Sequence, residues 1–489
     1  MDTNISALAP SLIWKHFAAI CSIPHPSHHE AALREYIVDF AKQNNIECIV
    51  DEGGNIVLRK AATPGMENLQ GVIMQGHIDM VPQKNGDKEF DFTTDPIEAY
   101  IDGEWVTANG TTLGADNGIG VAAALAVMES SDLKHGPIEA LFTYAEETGM
   151  DGAFALKPGI LEGDILLNMD SETEGELYVG CAGGVNANMT ISYTEQALDK
   201  SSELKAYEIE IAGLSGGHSG MDIILGRGNA NKILVRILKA ITVEYGVMLA
   251  SIDGGGLRNA IPREARAIVV VDAAKEDQMM DLVNNIAATV IEELDGVDDA
   301  IEITTTEQTE LPETVIDNCT QKRLLNAVYG CPNGVIRMSP SIEGLTQTST
   351  NLARVVSENG QIKLLALLRS SSSSEKDDLA ESIRSVFELA KAEVVFEGEY
   401  DGWIPNLKSP ILSTMQSVYK QKYGSEPAIM AIHAGLECGI FSGAYPNLDM
   451  ISFGPTIRHP HSPDEKVHIA SVDKFWDFLC STLENIPTK

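Results

Sequence analysis

Three short, mainly apolar runs, Val72-Ile73-Met74, Ile138 to Tyr144 and Ile165-Leu166-Leu167, set the strongest limit on the fold. None alternates strictly between apolar and polar residues, so each reads as a strand buried on both faces, and such strands need helices on either side. The small-residue stretch Ile119 to Met128 supplies one helix fit for close packing. Upstream, a helix pattern covers Ser11 to Ile20, and another opens at Ser27, which has capping-box spacing with Glu30. Cys48 to Asp51 and Ile56 to Arg59 flank the turn Gly53-Gly54-Asn55 and read as a hairpin. The class is α/β, a helix-covered mixed or parallel sheet.

The pattern changes along the chain. A polar stretch from Thr194 to Leu204 reads as a linker, and from Tyr207 to Phe396 the elements follow a different order: strand, long helix from Asn229, strands near Arg266 to Asp272 and Ile301 to Thr305 with a helix between, then a similar series from Gln321 to Val395. Ser374 is expected to start a helix running from Asp378 to Lys391. That middle region reads as an α+β domain of antiparallel strands with helices on one face, in two lobes. After the polar break Glu397 to Asp401 the buried-strand pattern returns at Met450 to Phe453. The expected organisation is one catalytic domain, residues 1–195 and 399–489, interrupted by an inserted domain, residues 203–398.

With 35 Lys+Arg against 71 Asp+Glu, the formal charge of −36 argues against a nucleic-acid partner. No apolar run approaches the roughly 18 residues of a membrane span. The first ten residues lack a basic segment followed by an apolar core, so no secretory signal is expected. The 7 cysteines are scattered without a C-x-x-C pair and read as reduced thiols of a cytoplasmic protein.

The chemistry gathers at strand ends. Met74 leads to His77-Ile78-Asp79, Tyr144 to Glu146-Glu147, and Leu167 to Asp170. Ligands in open α/β sheets collect beyond the carboxyl ends of strands, so these side chains should converge. Leu113-Gly114-Ala115-Asp116-Asn117-Gly118 adds a carboxylate on a glycine-lined turn, and the loop Arg458-His459-Pro460-His461 adds imidazoles after the Met450 strand. Histidines and carboxylates without cysteine suit Zn²⁺, Mn²⁺ or Co²⁺. Neighbouring side chains of an extended segment point to opposite sides, so Glu146 and Glu147 are expected to differ in role, whereas His77 and Asp79 point the same way and can hydrogen-bond.

In their order, Gly76-His77-Ile78-Asp79, Gly114-Ala115-Asp116-Asn117, Glu146-Glu147-Thr148-Gly149, Asn168-Met169-Asp170 and His461-Ser462-Pro463-Asp464-Glu465 closely resemble the M20 di-metal peptidases. Ala431-Ile432-His433-Ala434-Gly435-Leu436-Glu437-Cys438-Gly439 and Gly213-Leu214-Ser215-Gly216-Gly217-His218-Ser219-Gly220 look like the aminoacyl-histidine dipeptidase branch. The resemblance covers essentially the whole chain. It implies two divalent ions per chain, Zn²⁺ first and Co²⁺ or Mn²⁺ as alternatives, bridged by Asp116. His77 and Asp170 would complete one ion, Glu147 and His461 the other. Glu146 would be the general base toward a di-metal-bridged hydroxide, Asp79 would orient His77, and a cis peptide would follow Asp116. In the inserted domain, a lid by the same resemblance, His218 would stabilise the oxyanion and Arg369 would clasp the substrate's carboxylate. Asn259 would be a weaker substrate contact, Gly435 and Glu437 would line the pocket, and a homodimer is expected.

The activity implied is hydrolysis of unblocked dipeptides, with broad specificity that includes Xaa-His. On the same centre the alternative is an N-acyl-amino-acid amidohydrolase or a short-peptide peptidase, distinguishable by substrate. A non-catalytic peptide-binding protein is a more remote reading, opposed by the presence of Glu146 beside all five ligand positions.

Overall fold

The apolar runs pair as their double burial demands. In the computed structural model, which describes residues 3–199 and 203–489, the strands Val72–His77, Ile138–Thr143 and Ile165–Asn168 are buried at every position. They lie parallel, with Val72 opposite Ile138 on one side and Ile165 on the other. Ile165–Asn168 also pairs in parallel with Asp449–Ser452, which brings the last part of the chain into the sheet begun by the first. The expected hairpin, Glu47–Val50 and Ile56–Lys60, extends the far edge in antiparallel fashion. The sheet is therefore eight-stranded and mixed.

The helix Ala115–Glu129 is buried from Asn117 to Met128 and packs on the strand Val72–His77 and the helix Ser11–Cys21. Its small residues permit that approach: a Cβ on Gly120 would lie 2.6 Å from the Met169 carbonyl, and one on Gly76 would lie 2.3 Å from Asn117 Oδ1. Lys60 Nζ donates to the carbonyls of Val127, Met128 and Ser130, where the helix leaves acceptors unsatisfied. The Ser27–Glu30 capping box does not form. The helix begins at Ala31 with no side-chain cap. Tertiary partners win instead: Ser27 Oγ donates to Asp79, and Glu30 Oε1 accepts from the amides of His28 and Ala145.

The chain divides into two compact units, Met1–Cys181 with Trp403–Ala431 and Leu436–Lys489, and Ala182–Gly402 with Ile432–Gly435. The first crossing falls well before the polar stretch at 194–204, because the strands Glu176–Cys181 and Gly183–Ser192 are separated by Ala182 alone. The stretch is not a free linker where it is described: Glu195–Ala197 pairs antiparallel with Thr314–Ile316, while residues 200–202 lie outside the described residues.

The second unit is built on an antiparallel sheet of nine strands. The order strand, helix, strand pair, helix, strand from Leu204–Ala212 recurs from Thr314–Ile316 with one extra strand, Gly334–Met338, before the pair, and the two lobes join where Met248–Gly255 pairs with Thr346–Glu358. Period-two alternation sorts the faces: Tyr207, Ile209 and Ile211 enter one core with Leu234, Ile237 and Ile241 of the helix Ala230–Tyr245, while Ala206 and Val270 face a smaller cluster with Leu198 and Val315. The helix expected from Asp378 starts earlier, at Ser373, with Ser372 as its N-cap.

Candidate metal centre

All the strand-end residues expected to converge do so, within the first unit. His77 closes its strand with Nε2 3.3 Å from Asp116 Oδ1 and 3.3 Å from Asp170 Oδ1. Asp116 Oδ2 lies 3.1 Å from His461 Nε2, which in turn is 3.0 Å from Glu147 Oε1. Asp116 thus offers one oxygen to each of two groups, His77 with Asp170 and His461 with Glu147. His461, not the neighbouring exposed His459, makes these contacts; its backbone is left-handed (φ 59°). Asp116 is aimed by an interruption at the start of its helix: Gly114 is left-handed (φ 72°), Asp116 itself is non-helical (φ −84°, ψ 107°), and the Asp116–Asn117 peptide is cis.

The donor set fits divalent cations on the structure's own terms. One ring nitrogen carries at most one proton, so His77 Nε2 cannot donate to both carboxylates it faces. Asp170 Oδ1 and Glu147 Oε1 are buried, and each faces an imidazole Nε2 that it shares with Asp116, His77 at 3.3 Å and His461 at 3.0 Å. Among the described residues, His77-Asp116-Asp170, His77-Glu146-Glu147 and Asp116-Glu147-His461 each present three ligand atoms close enough to share an ion. The hydrogen bonds to Asp116 and Glu147 push His461 up to about 11, and His77 is raised well above its usual value against burial, with Asp170 the largest raising influence. Asp116 is buried, yet His461 and His77 hold it below the usual carboxylate range.

Asp79 holds the site from behind. Its Oδ1 is 3.3 Å from His77 Nδ1 and accepts the Glu146 amide, while Oδ2 accepts the Glu147 amide and the Ser27 hydroxyl. Burial alone would raise its pKa, but these hydrogen bonds and the charge of His77 outweigh it and bring the group to about 2. Glu146 and Glu147 are not separated by strand alternation as expected. They sit in a turn beyond the strand, after the left-handed Ala145 (φ 48°), and both approach His77. Burial raises Glu146 well above the carboxylate range; His77 opposes this, and Asp170, Glu147 and Glu437 add to it.

The remaining sequence-selected residues divide. Glu437, expected to line the pocket, is fully enclosed in the first unit, where it accepts from Gln75 Nε2 (2.5 Å) and Thr143 Oγ1 (2.9 Å). Burial raises it to about 8. Gly435 lies in the bend before the helix Glu437–Ala444, and Asn259 is exposed, with its carbonyl accepting from the Ser219 amide.

In the second unit, His218 and Arg369 meet around Gly220, where an added Cβ would stand 3.1 Å from His218 Cε1 and 3.2 Å from Arg369 Nε. Arg369 is 6% exposed, donates to the Tyr400 hydroxyl and has no partner at Nε. Among the described residues no carboxylate pairs with it. A buried cation without a counter-ion is costly, so the arrangement suits a ligand that brings an anion. The amides of Gly220 and Met221 donate to His218 Nδ1, which leaves the proton of the neutral ring on Nε2. Burial and Arg369 both lower the pKa of this ring. His433, which sequence reasoning quotes only within a motif, joins this group: burial, then Arg369 and His218, bring it down to about 3, and its Nε2 is hydrogen-bonded to Ser349.

Comparison with known proteins bears on both units. The model of peptidase family M20/M25/M40 matches residues 73–485. The cytosol non-specific dipeptidase of Escherichia coli (strain K12) is 46% identical over 489 residues, 100% of each chain. The crystal structure of aminoacylhistidine dipeptidase from Vibrio alginolyticus superposes with a TM-score of 0.94 at 49% identity, covering 99% of each chain. The aminopeptidase PepT of Bacillus cereus shares the fold at a TM-score of 0.57 and 14% identity, over 98% of this chain and 99% of that one. Among the described residues no helix is long and apolar enough to cross a membrane.

Proposed function

Because the chain belongs to peptidase family M20/M25/M40, we propose that its paired donor sets hold two divalent metal ions and that it is a metallodipeptidase acting on unblocked dipeptides, including Xaa-His. The observation that carries this reading is Asp116, with one oxygen toward His77 and Asp170 and the other toward His461 and Glu147. Two relatives at 46% and 49% identity over full length are named as dipeptidases.

His77, Asp116 and Asp170 would hold one ion and Asp116, Glu147 and His461 the other; zinc fits this set, with cobalt or manganese as alternatives. Bound there, the pair would polarise the scissile carbonyl and acidify water. Glu146 takes the proton of the attacking water and passes it to the leaving amine, a task suited to a carboxylate whose pKa burial has raised. Asp79 keeps Glu146 in place through its amide and orients His77. His218, with Nε2–H available, donates to the carbonyl oxygen as charge develops on it. Arg369 receives the terminal carboxylate, a counter-ion that none of the described residues provides. Asn259 and Gly435 belong to the same proposal as weaker substrate contacts. A cytosolic location and a homodimer complete it, the latter checked by the mass of the protein in solution.

Turnover of Ala-His, of its N-acetylated form and of a tripeptide tests the substrate class. The free dipeptide should be cleaved fastest. Cleavage of the blocked form alone would make the chain an N-acyl-amino-acid hydrolase. Arg369→Met tests the carboxylate contact: loss of a charge-assisted pair should lower kcat/KM for dipeptides by about 10- to 100-fold, mainly through KM. An unchanged KM would remove Arg369 from the binding site.

A further inference from the structure

Glu465 lies four residues beyond His461 in the same loop and is 2% exposed. Its carboxylate is turned onto the backbone that leads into the helix Ala115–Glu129. Oε2 accepts the amides of Leu113 (2.8 Å) and Gly114 (3.0 Å), and Oε1 accepts those of Ala115 (2.8 Å) and Asp116 (3.2 Å). Four successive N–H groups can face one anion because the left-handed Gly114 curls the chain into a concave nest. Glu465 is itself anchored: its amide donates to the Ser462 carbonyl (3.0 Å), and its carbonyl accepts from Thr107 Oγ1 (2.7 Å).

This side chain therefore joins two segments that the sequence keeps some 350 positions apart. One carries Asp116, the carboxylate that faces both donor groups; the other carries His461. We infer that Glu465 is a positioning residue of the metal centre, fixing Asp116 and His461 in mutual register through the backbone without ligating an ion. The inference rests on the two-ion reading above. A carboxylate is the side chain the nest requires, since it offers two acceptor oxygens and no donor. A Gln amide would set an NH₂ against two of the four N–H groups, and Asp would fall one methylene short.

A merely structural cap would cost stability and leave ion affinity intact, so the test measures both. Zn²⁺ affinity is read by competition with a chromogenic chelator, and the unfolding midpoint is read on the metal-free protein, for wild type, Glu465→Gln and a core control, Leu166→Ala, in the same sheet. Glu465→Gln should bind Zn²⁺ about 10- to 100-fold more weakly, the range typical of residues that orient ligands. The control should keep wild-type affinity despite a lowered midpoint. Wild-type affinity in Glu465→Gln, or an equal loss in the control, overturns the inference while leaving the two-ion reading standing. Wild-type protein that takes up no Zn²⁺ sinks that reading itself. Should Glu465→Gln fail to fold, Glu465→Asp, which keeps the charge and loses reach, is expected to weaken binding by about 10-fold; wild-type affinity there overturns the inference equally.

Discussion

Replacing Glu146 with Gln is expected to leave two divalent ions bound per chain and to lower kcat by about 100- to 10,000-fold, the usual contribution of a general base. The substitution preserves shape, and the backbone that places the residue is held independently, by the Glu146 amide on Asp79 Oδ1 at 3.0 Å. What is lost is the ability to take up and return a proton. Glu146 stands beside His77, among carboxylates that raise its affinity for that proton, and it lies next to Glu147, whose carboxylate reaches His461. Ion content by elemental analysis separates the two neighbours: Gln at 146 should leave it near two. Turnover at the wild-type rate would remove Glu146 as the base.

Exhaustive chelation is expected to abolish hydrolysis, and Zn²⁺, Co²⁺ or Mn²⁺ to restore it. The same treatment should destabilise the protein. An ion that binds only the folded form at 100 times its dissociation constant adds about 2.7 kcal/mol, so removing it should lower the unfolding midpoint by several degrees. The structural basis is the surplus of acceptors: the buried Asp170 Oδ1 and Glu147 Oε1 each share one imidazole nitrogen with Asp116. Calorimetry with and without chelator reads the shift, and full activity after complete chelation would end the two-ion reading.

The sequence disclosed the parallel sheet because strands buried on both faces leave a signature no amphipathic element shares. It disclosed the cluster of donor side chains because His77 ends such a strand and Glu147 and Asp170 follow two others at their carboxyl ends. What it concealed depends on partners far along the chain. Ser27 and Glu30 have the spacing of a cap, but Asp79 and the Ala145 amide outbid the helix for them. Glu437 belongs to a pocket-like motif, yet its hydrogen bonds go to Gln75 and Thr143, some 300 positions or more away. The turn that brings Glu146 and Glu147 to one histidine hangs on a left-handed Ala145, which nothing in the residue type foretells. Apart from the resemblance, Arg369 reads from sequence as a strand-end residue like many others; in the structure its burial, with no carboxylate paired to it among the described residues, sets it apart.

Consider the parallel pairing of Ile165–Asn168 with Asp449–Ser452, after which the chain runs on to His461. A polypeptide emerging from the ribosome has made the earlier strands, and the second unit up to Gly402, well before the second imidazole exists. Until then the second donor group of Asp116 has Glu147 but not His461. On the two-ion reading proposed above, a translation product that stops short of residue 461 holds four of the five donors, so hydrolytic power is expected only late in synthesis.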